Sequence, residues 1–242
     1  MKNDCIAVCV SILLLLAACN TATPPPTSTP DPTTTPFPPT ATLEPVWETI
    51  GESLATDPSW TLDEVRLDFD IQVVDGTLIV IAPDELYANP IDTAGPHLAA
   101  AGDFGVIFEM EAATAEFAGI SLYGTLAQGS DWWQGITRLD IGIKAGKVAV
   151  GYWGGDSPTP SVWQEYPAAG VYANRPVVLG LRKFGESLII LVRGREVGRI
   201  PDPGLVPSGV ITFGLNVAPQ NRLILSSLMI EDNHGQGVEI LK

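Results

Sequence analysis

Cysteine is nearly missing from this 242-residue chain, and the three that occur sit within the first nineteen residues, at Cys5, Cys9 and Cys19. A disulfide framework is excluded for everything that follows, so any folded part must be held by a hydrophobic core. Positive charge is scarce as well. Thirteen Lys and Arg stand against 28 Asp and Glu, a formal net charge of −15. Nucleic acid and anionic lipid headgroups call for clustered Lys or Arg, and the overall balance argues against both as partners. His97 and His234 are the only histidines, and without a His-x-x-x-His spacing no zinc site is expected. The string Gly119-Ile120-Ser121-Leu122-Tyr123 lacks the last glycine of a nucleophile elbow, and no Gly-rich phosphate loop precedes a helix.

What is present begins with an address. Lys2 is followed by an apolar run from Ile6 to Ala18 that ends in Leu16-Ala17-Ala18-Cys19. The run is thirteen residues long, short of the roughly 20 that a spanning helix needs. A positive start, a short apolar stretch and small residues before a cut describe a secretory signal peptide over residues 1–18. Leu-Ala-Ala-Cys resembles the bacterial lipobox. That resemblance implies a thioether-linked lipid on Cys19, cleavage before it, and a lipoprotein anchored on the extracytoplasmic face of the cell membrane.

Residues 19–46 read as a linker. Nine of the 21 prolines fall between Asn20 and Val46, interleaved with Thr. Proline fixes φ and removes donors, so neither helix nor sheet is expected there. A polyproline-like path at about 3.1 Å per residue gives a reach on the order of 80 Å. The dense hydroxyls are potential O-glycan acceptors.

Residues 47–242 read as one domain. Period-two alternation is clear from Glu64 to Gln72, where Val65, Leu67, Phe69 and Ile71 share one face. Further strands are expected over 76–82, 105–112, 117–125, 137–144, 147–153, 177–183, 187–193, 195–200, 209–217 and 223–231. Lys144-Ala145-Gly146 and Arg193-Gly194 have the composition of tight hairpin turns. Short helices are expected only within Val46–Leu54 and Pro83–Ala101. The pattern predicts an all-β fold, a jelly roll or β-sandwich of two antiparallel sheets.

Gly102-Asp103-Phe104-Gly105-Val106-Ile107-Phe108 opens a strand in a way that resembles the concanavalin A-like lectin/glucanase (laminin-G-like) superfamily. The run Val178-Leu179-Gly180-Leu181-Arg182, the hairpin Leu188 to Val197, Ser208 to Leu215 and Leu228 to Asp232 extend the resemblance over about residues 60–232. It implies the sandwich. Domains of that kind serve as sugar-binding modules, glycosidases or adhesion domains, so fold alone does not choose a function.

Candidate chemistry lies first in the aromatics. Asp131-Trp132-Trp133-Gln134, Tyr152-Trp153-Gly154-Gly155-Asp156 and Trp163 combine flat indole faces with polar neighbours, the mixture common in ligand pockets. Trp132, Trp133, Trp153, Asp156 and Trp163 are therefore the expected carbohydrate-binding residues. Adjacent Trp132 and Trp133 cannot share one strand face. Packing of these tryptophans in the core is the competing structural account, and it would leave an interaction domain with no small-molecule ligand. A second candidate is Glu109 and Glu111, about 7 Å apart on one strand face, as carboxylates of a glycoside hydrolase. Family 16 glycoside hydrolases carry Glu-x-Asp-x-Glu on such a strand. Here it reads Glu109-Met110-Glu111-Ala112-Ala113, without the central Asp or the third acid. No cofactor is expected. A structural Ca²⁺ would have to draw on Asp103, Asp131, Asp156 and Asp232.

Overall fold

Branched apolar residues alternate with polar or small ones through most of the chain, and they form strands. The computed structural model describes residues 45–61, 69–83, 95–125, 136–155, 160–205, 209–235 and 237–241. Its strands are β1 (Trp47–Ile50), β2 (Asp70–Val74), β3 (Thr77–Ile81), β4 (His97–Ala100), β5 (Phe104–Ala112), β6 (Ala118–Thr125), β7 (Ile136–Lys144) and β8 (Lys147–Gly155). They continue as β9 (Val162–Pro167), β10 (Val177–Phe184), β11 (Ser187–Val192), β12 (Arg195–Pro201), β13 (Val210–Val217), β14 (Arg222–Asn233) and β15 (Val238–Leu241). All pairings among the described residues are antiparallel.

The strands form two sheets. One runs β12-β11-β10-β5-β14-β3-β2, with β1 as an eighth strand beside β14. The length of β14 makes this possible: Arg222–Leu225 pair with β3, while Ile230–Asn233 pair with β1. The other sheet runs β15-β4-β13-β6-β7-β8-β9. The fold is the all-β sandwich of two antiparallel sheets that the sequence predicts.

Between the sheets, Phe104, Phe108, Met110, Leu181, Leu225 and Ile230 meet Leu98, Ile120, Leu122, Ile141, Phe213 and Leu215, all fully buried. Each such side chain contributes about 1.5–3 kcal/mol of burial free energy. Trp60 closes the core from a short 3-10 turn at Pro58–Thr61, with its indole N–H donating to the Leu54 carbonyl at 2.7 Å. Ala145-Gly146 and Arg193-Gly194 take positive φ at both positions (51° and 74°, 50° and 75°), the signature of the type I′ turns expected there. Asp75-Gly76 does the same between β2 and β3.

One helix expectation is corrected, and residues 84–94 of the other, Pro83–Ala101, lie outside the described residues. Trp47–Ile50 is strand β1, and of the expected Val46–Leu54 helix only Leu54 enters a 3-10 turn, Leu54–Thr56. Pairing with β14 outweighs local propensity here, as edge contacts commonly do in sheets. His97–Ala100 is likewise strand β4, inserted between β13 and β15. Most of the expected strand at Glu64–Gln72 lies outside the described residues. Its last part is in β2, where Ile71 packs against the core.

Candidate functional site

Strand alternation that buries apolar residues between the sheets must send the intervening ones to the outer faces. On the seven-stranded sheet those intervening residues are unusual. While Ile120, Leu122, Leu139, Ile141 and Phe213 point inward, Ser121, Tyr123, Arg138, Asp140 and Thr212 occupy the alternate positions and are also buried. Register aligns Thr212, Tyr123, Arg138 and Trp153 across β13, β6, β7 and β8. The next row is Gly214, Ser121, Asp140, Gly151 and Trp163, reaching β9.

Asp140 is the centre of this face. Its Oδ1 accepts from Ser121 Oγ at 2.6 Å, and its Oδ2 accepts from Asn216 Nδ2 at 2.6 Å and Arg138 Nη2 at 3.1 Å. Burial pushes the carboxyl above its ordinary range, and the Arg138 charge and these hydrogen bonds oppose that shift without cancelling it. Arg138 keeps one buried N–H, at Nε, with no acceptor. The Arg138 guanidinium carbon lies 3.9 Å from the centre of the Trp153 ring, within cation–π range.

Glycines make the floor. Gly119 faces Gly142 across β6 and β7, and a Cβ on either would fall 2.2 or 2.1 Å from the opposing strand's carbonyl oxygen. A Cβ on Gly151 would lie 2.6 Å from the Trp153 ring and 2.7 Å from that of Trp163. Both indoles therefore lean across the bare backbone of β8. Trp163 is 38% exposed. Its ring meets Trp153 at 6.3 Å and Phe117 at 5.8 Å, both edge to face. Lys144 Nζ stands 5.2 Å from the Trp163 ring centre. The indole N–H of Trp163 donates to Glu165 Oε1 at 3.4 Å. The hydrogen bond from Lys147, and then that from Trp163, holds Glu165 below the ordinary carboxylate range.

Of the expected sugar-binding residues, Trp153 and Trp163 come together on this face, whereas Trp132, Trp133 and Asp156 lie outside the described residues, as does Cys19. Sequence reasoning did not single out Ser121, Arg138, Asp140, Asn216, Phe117 and Lys144. A signal existed. In Arg138-Leu139-Asp140-Ile141-Gly142-Ile143-Lys144 every second residue is polar or Gly within an otherwise branched strand.

Glu109 and Glu111 do share a face, but it is the outer face of the eight-stranded sheet, across the sandwich from Trp153 and Trp163. Both are partly exposed, their neighbours in register are Val178, Ser227 and Ile224, and Glu111 pairs with Arg222 at 3.8 Å. Asp103 accepts from the Gly185 N–H at 2.8 Å and Asn233 Nδ2 at 3.3 Å, with Lys183 Nζ at 4.0 Å. Among the described residues no three His, Cys, Asp or Glu side chains converge. His97 faces Thr212, Nδ1 to Oγ1, at 2.9 Å.

No protein-family model and no curated protein sequence matches the chain. Solved structures similar in backbone include a carbohydrate binding module from Bacillus subtilis, 14% identical with a TM-score of 0.43, covering 77% of this chain and 95% of that one. A prokaryotic β-1,3-1,4-glucanase (lichenase) from a mouse hindgut metagenome is 16% identical with a TM-score of 0.47, over 67% of this chain and 82% of that one. The κ-carrageenase of Pseudoalteromonas carrageenovora is 11% identical with a TM-score of 0.47, over 81% and 99%.

Proposed function

We propose that the chain is a carbohydrate-binding module, working on the outer face of its seven-stranded sheet, and that a lipid on Cys19 holds it at the cell membrane on the extracytoplasmic side. One observation carries the binding assignment. Trp153, Trp163 and Phe117 form an aromatic strip, partly exposed at Trp163, directly beside a buried polar cluster of Ser121, Arg138, Asp140 and Asn216. Aromatic rings offer flat apolar area to the C–H face of a sugar ring, and convergent polar groups meet its hydroxyls. Trp163 supplies the exposed platform, and the buried Arg138 guanidinium braces the neighbouring Trp153 ring from 3.9 Å.

Among the described residues Asp140 is the one carboxylate bound into the polar cluster, and no second acid pairs with it there. Binding is thus the favoured reading over hydrolysis. The test is affinity electrophoresis of the full chain through gels containing soluble neutral polysaccharides such as β-glucans, xylans and mannans. A retained wild type is expected, with Trp163→Ala weakening retention about tenfold, on the order of 1.4 kcal/mol. Retention that Trp163→Ala leaves unchanged would place the ligand elsewhere.

A further inference from the structure

The chain has more than two acids for each base, so a cation without a carboxylate beside it is not the result of a shortage. Among the described residues Arg138, Lys147, Arg182, Lys183, Arg199 and Arg222 each have a carboxylate oxygen within 4.0 Å. Lys144 and Arg175 rest over the rings of Trp163 and Tyr172 instead. Arg193 and Arg195 have neither kind of partner.

These two arginines flank the Gly194 turn of the β11–β12 hairpin. They border a cleft of about 520 Å³ between the edges of the two sheets, with Pro167, Ala168, Ala169 and Val197 as its apolar wall. The neighbouring acids are already engaged. Glu196 takes two hydrogen bonds from Arg199, at 3.2 and 3.0 Å, and Glu165 is paired with Lys147 at 2.9 Å. Arg193 is fixed in place: its main-chain N–H donates to the Val178 carbonyl at 2.8 Å and its Nη2 to the Gly170 carbonyl at 3.3 Å. Among the described residues its remaining side-chain donors, and those of the Arg195 side chain, have no hydrogen-bond partner. The planar fork of a guanidinium suits two-point hydrogen bonding to a planar or tetrahedral oxyanion.

We propose that this cleft is a second binding site, for the carboxylate or sulfate groups of an acidic polysaccharide. The apolar wall takes the C–H faces of the sugar rings and the arginines take the charges. A polymer is favoured over a single anion because exposed ion pairs are individually weak, whereas repeated charges along one strand raise the effective concentration of each next contact. The site shares no residue with the aromatic face.

The experiment measures binding of the full chain to immobilised polygalacturonate, dextran sulfate and uncharged dextran at about 50 and about 500 mM salt. The wild type is expected to hold the acidic polymers more tightly than dextran, and less so at the higher salt. Arg193→Asn/Arg195→Gln should weaken that binding about tenfold and Arg195→Gln alone severalfold, because charge-assisted contacts are removed. Asn suits the positive φ of position 193, and residue 195 is exposed, so both variants should keep the wild-type melting temperature. Trp163→Ala should leave acidic-polymer binding within about twofold. Binding to only one acidic polymer also supports the proposal and names the anion. No preference for acidic polymers, undiminished binding in the arginine variants, or loss in Trp163→Ala alone would each overturn it.

Discussion

Asp140 shows how one residue ties stability to the face that carries function. Its carboxyl is fully buried, receives three hydrogen bonds and is the charge partner of Arg138. Asp140→Ala leaves a buried guanidinium without that partner, and such a change costs about 3–5 kcal/mol; chemical denaturation measures it. Because burial raises the folded-state pKa of Asp140, the folded protein binds the proton more tightly than the unfolded chain. Its contribution to stability is therefore full below the ordinary carboxylate value and is lost as pH rises to the raised value. Across that window the Asp140→Asn variant should show a flatter fall in denaturation midpoint than the wild type. Equal slopes would mean that Asp140 titrates normally.

At the scale of elements, β8 decides where the aromatics lie. Its alternation buries Val148, Val150 and Tyr152 and leaves Gly151 and Trp153 on the other face. Gly151→Val would drive a branched side chain into rings 2.6 and 2.7 Å from the Cβ position, displacing Trp153 and Trp163. Expected is a loss of glycan retention as large as that of Trp163→Ala, with a melting temperature lowered by only a few degrees, since the rings are at the surface. Most strands and both type I′ hairpins were legible from the sequence because period two and Gly at positive φ are local signals. β1, β4, β9 and β15 were not. Each is four to six residues long, and it is long-range pairing, such as Trp47 opposite Asn233, that makes it a strand. The polar cluster was hidden for a related reason. Ser121, Asp140 and Asn216 are far apart in sequence, and only the β13-β6-β7 register brings them to one point. Trp153 and Trp163 were found because an indole is conspicuous in any context, but nothing local showed that the face they share also carries Arg138.

On the scale of the whole molecule, the two faces of the sandwich divide the expectations between them. The eight-stranded sheet carries Glu109 and Glu111 beside Val178, Ile224 and Ser227, whereas the seven-stranded sheet carries Trp153, Trp163 and the buried cluster around Asp140. With no cysteine after residue 19, the fold rests on the core between the sheets rather than on a cross-link. Under the proposed anchoring, Cys19→Ser should move the chain from the membrane to the soluble fraction without altering glycan retention. A variant that stays with the membrane would contradict a lipid at Cys19.

The most direct test of glycan binding at the aromatic face follows the indole N–H signals of the full chain by two-dimensional NMR during titration with a polysaccharide that retains it. Trp60 is 1% exposed and its N–H is committed to the Leu54 carbonyl, so it serves as an internal reference. The signals of Trp153 and Trp163 are expected to shift together with saturation while that of Trp60 stays fixed. Shifts confined to other tryptophans, with Trp153 and Trp163 unmoved at saturation, would contradict the assignment.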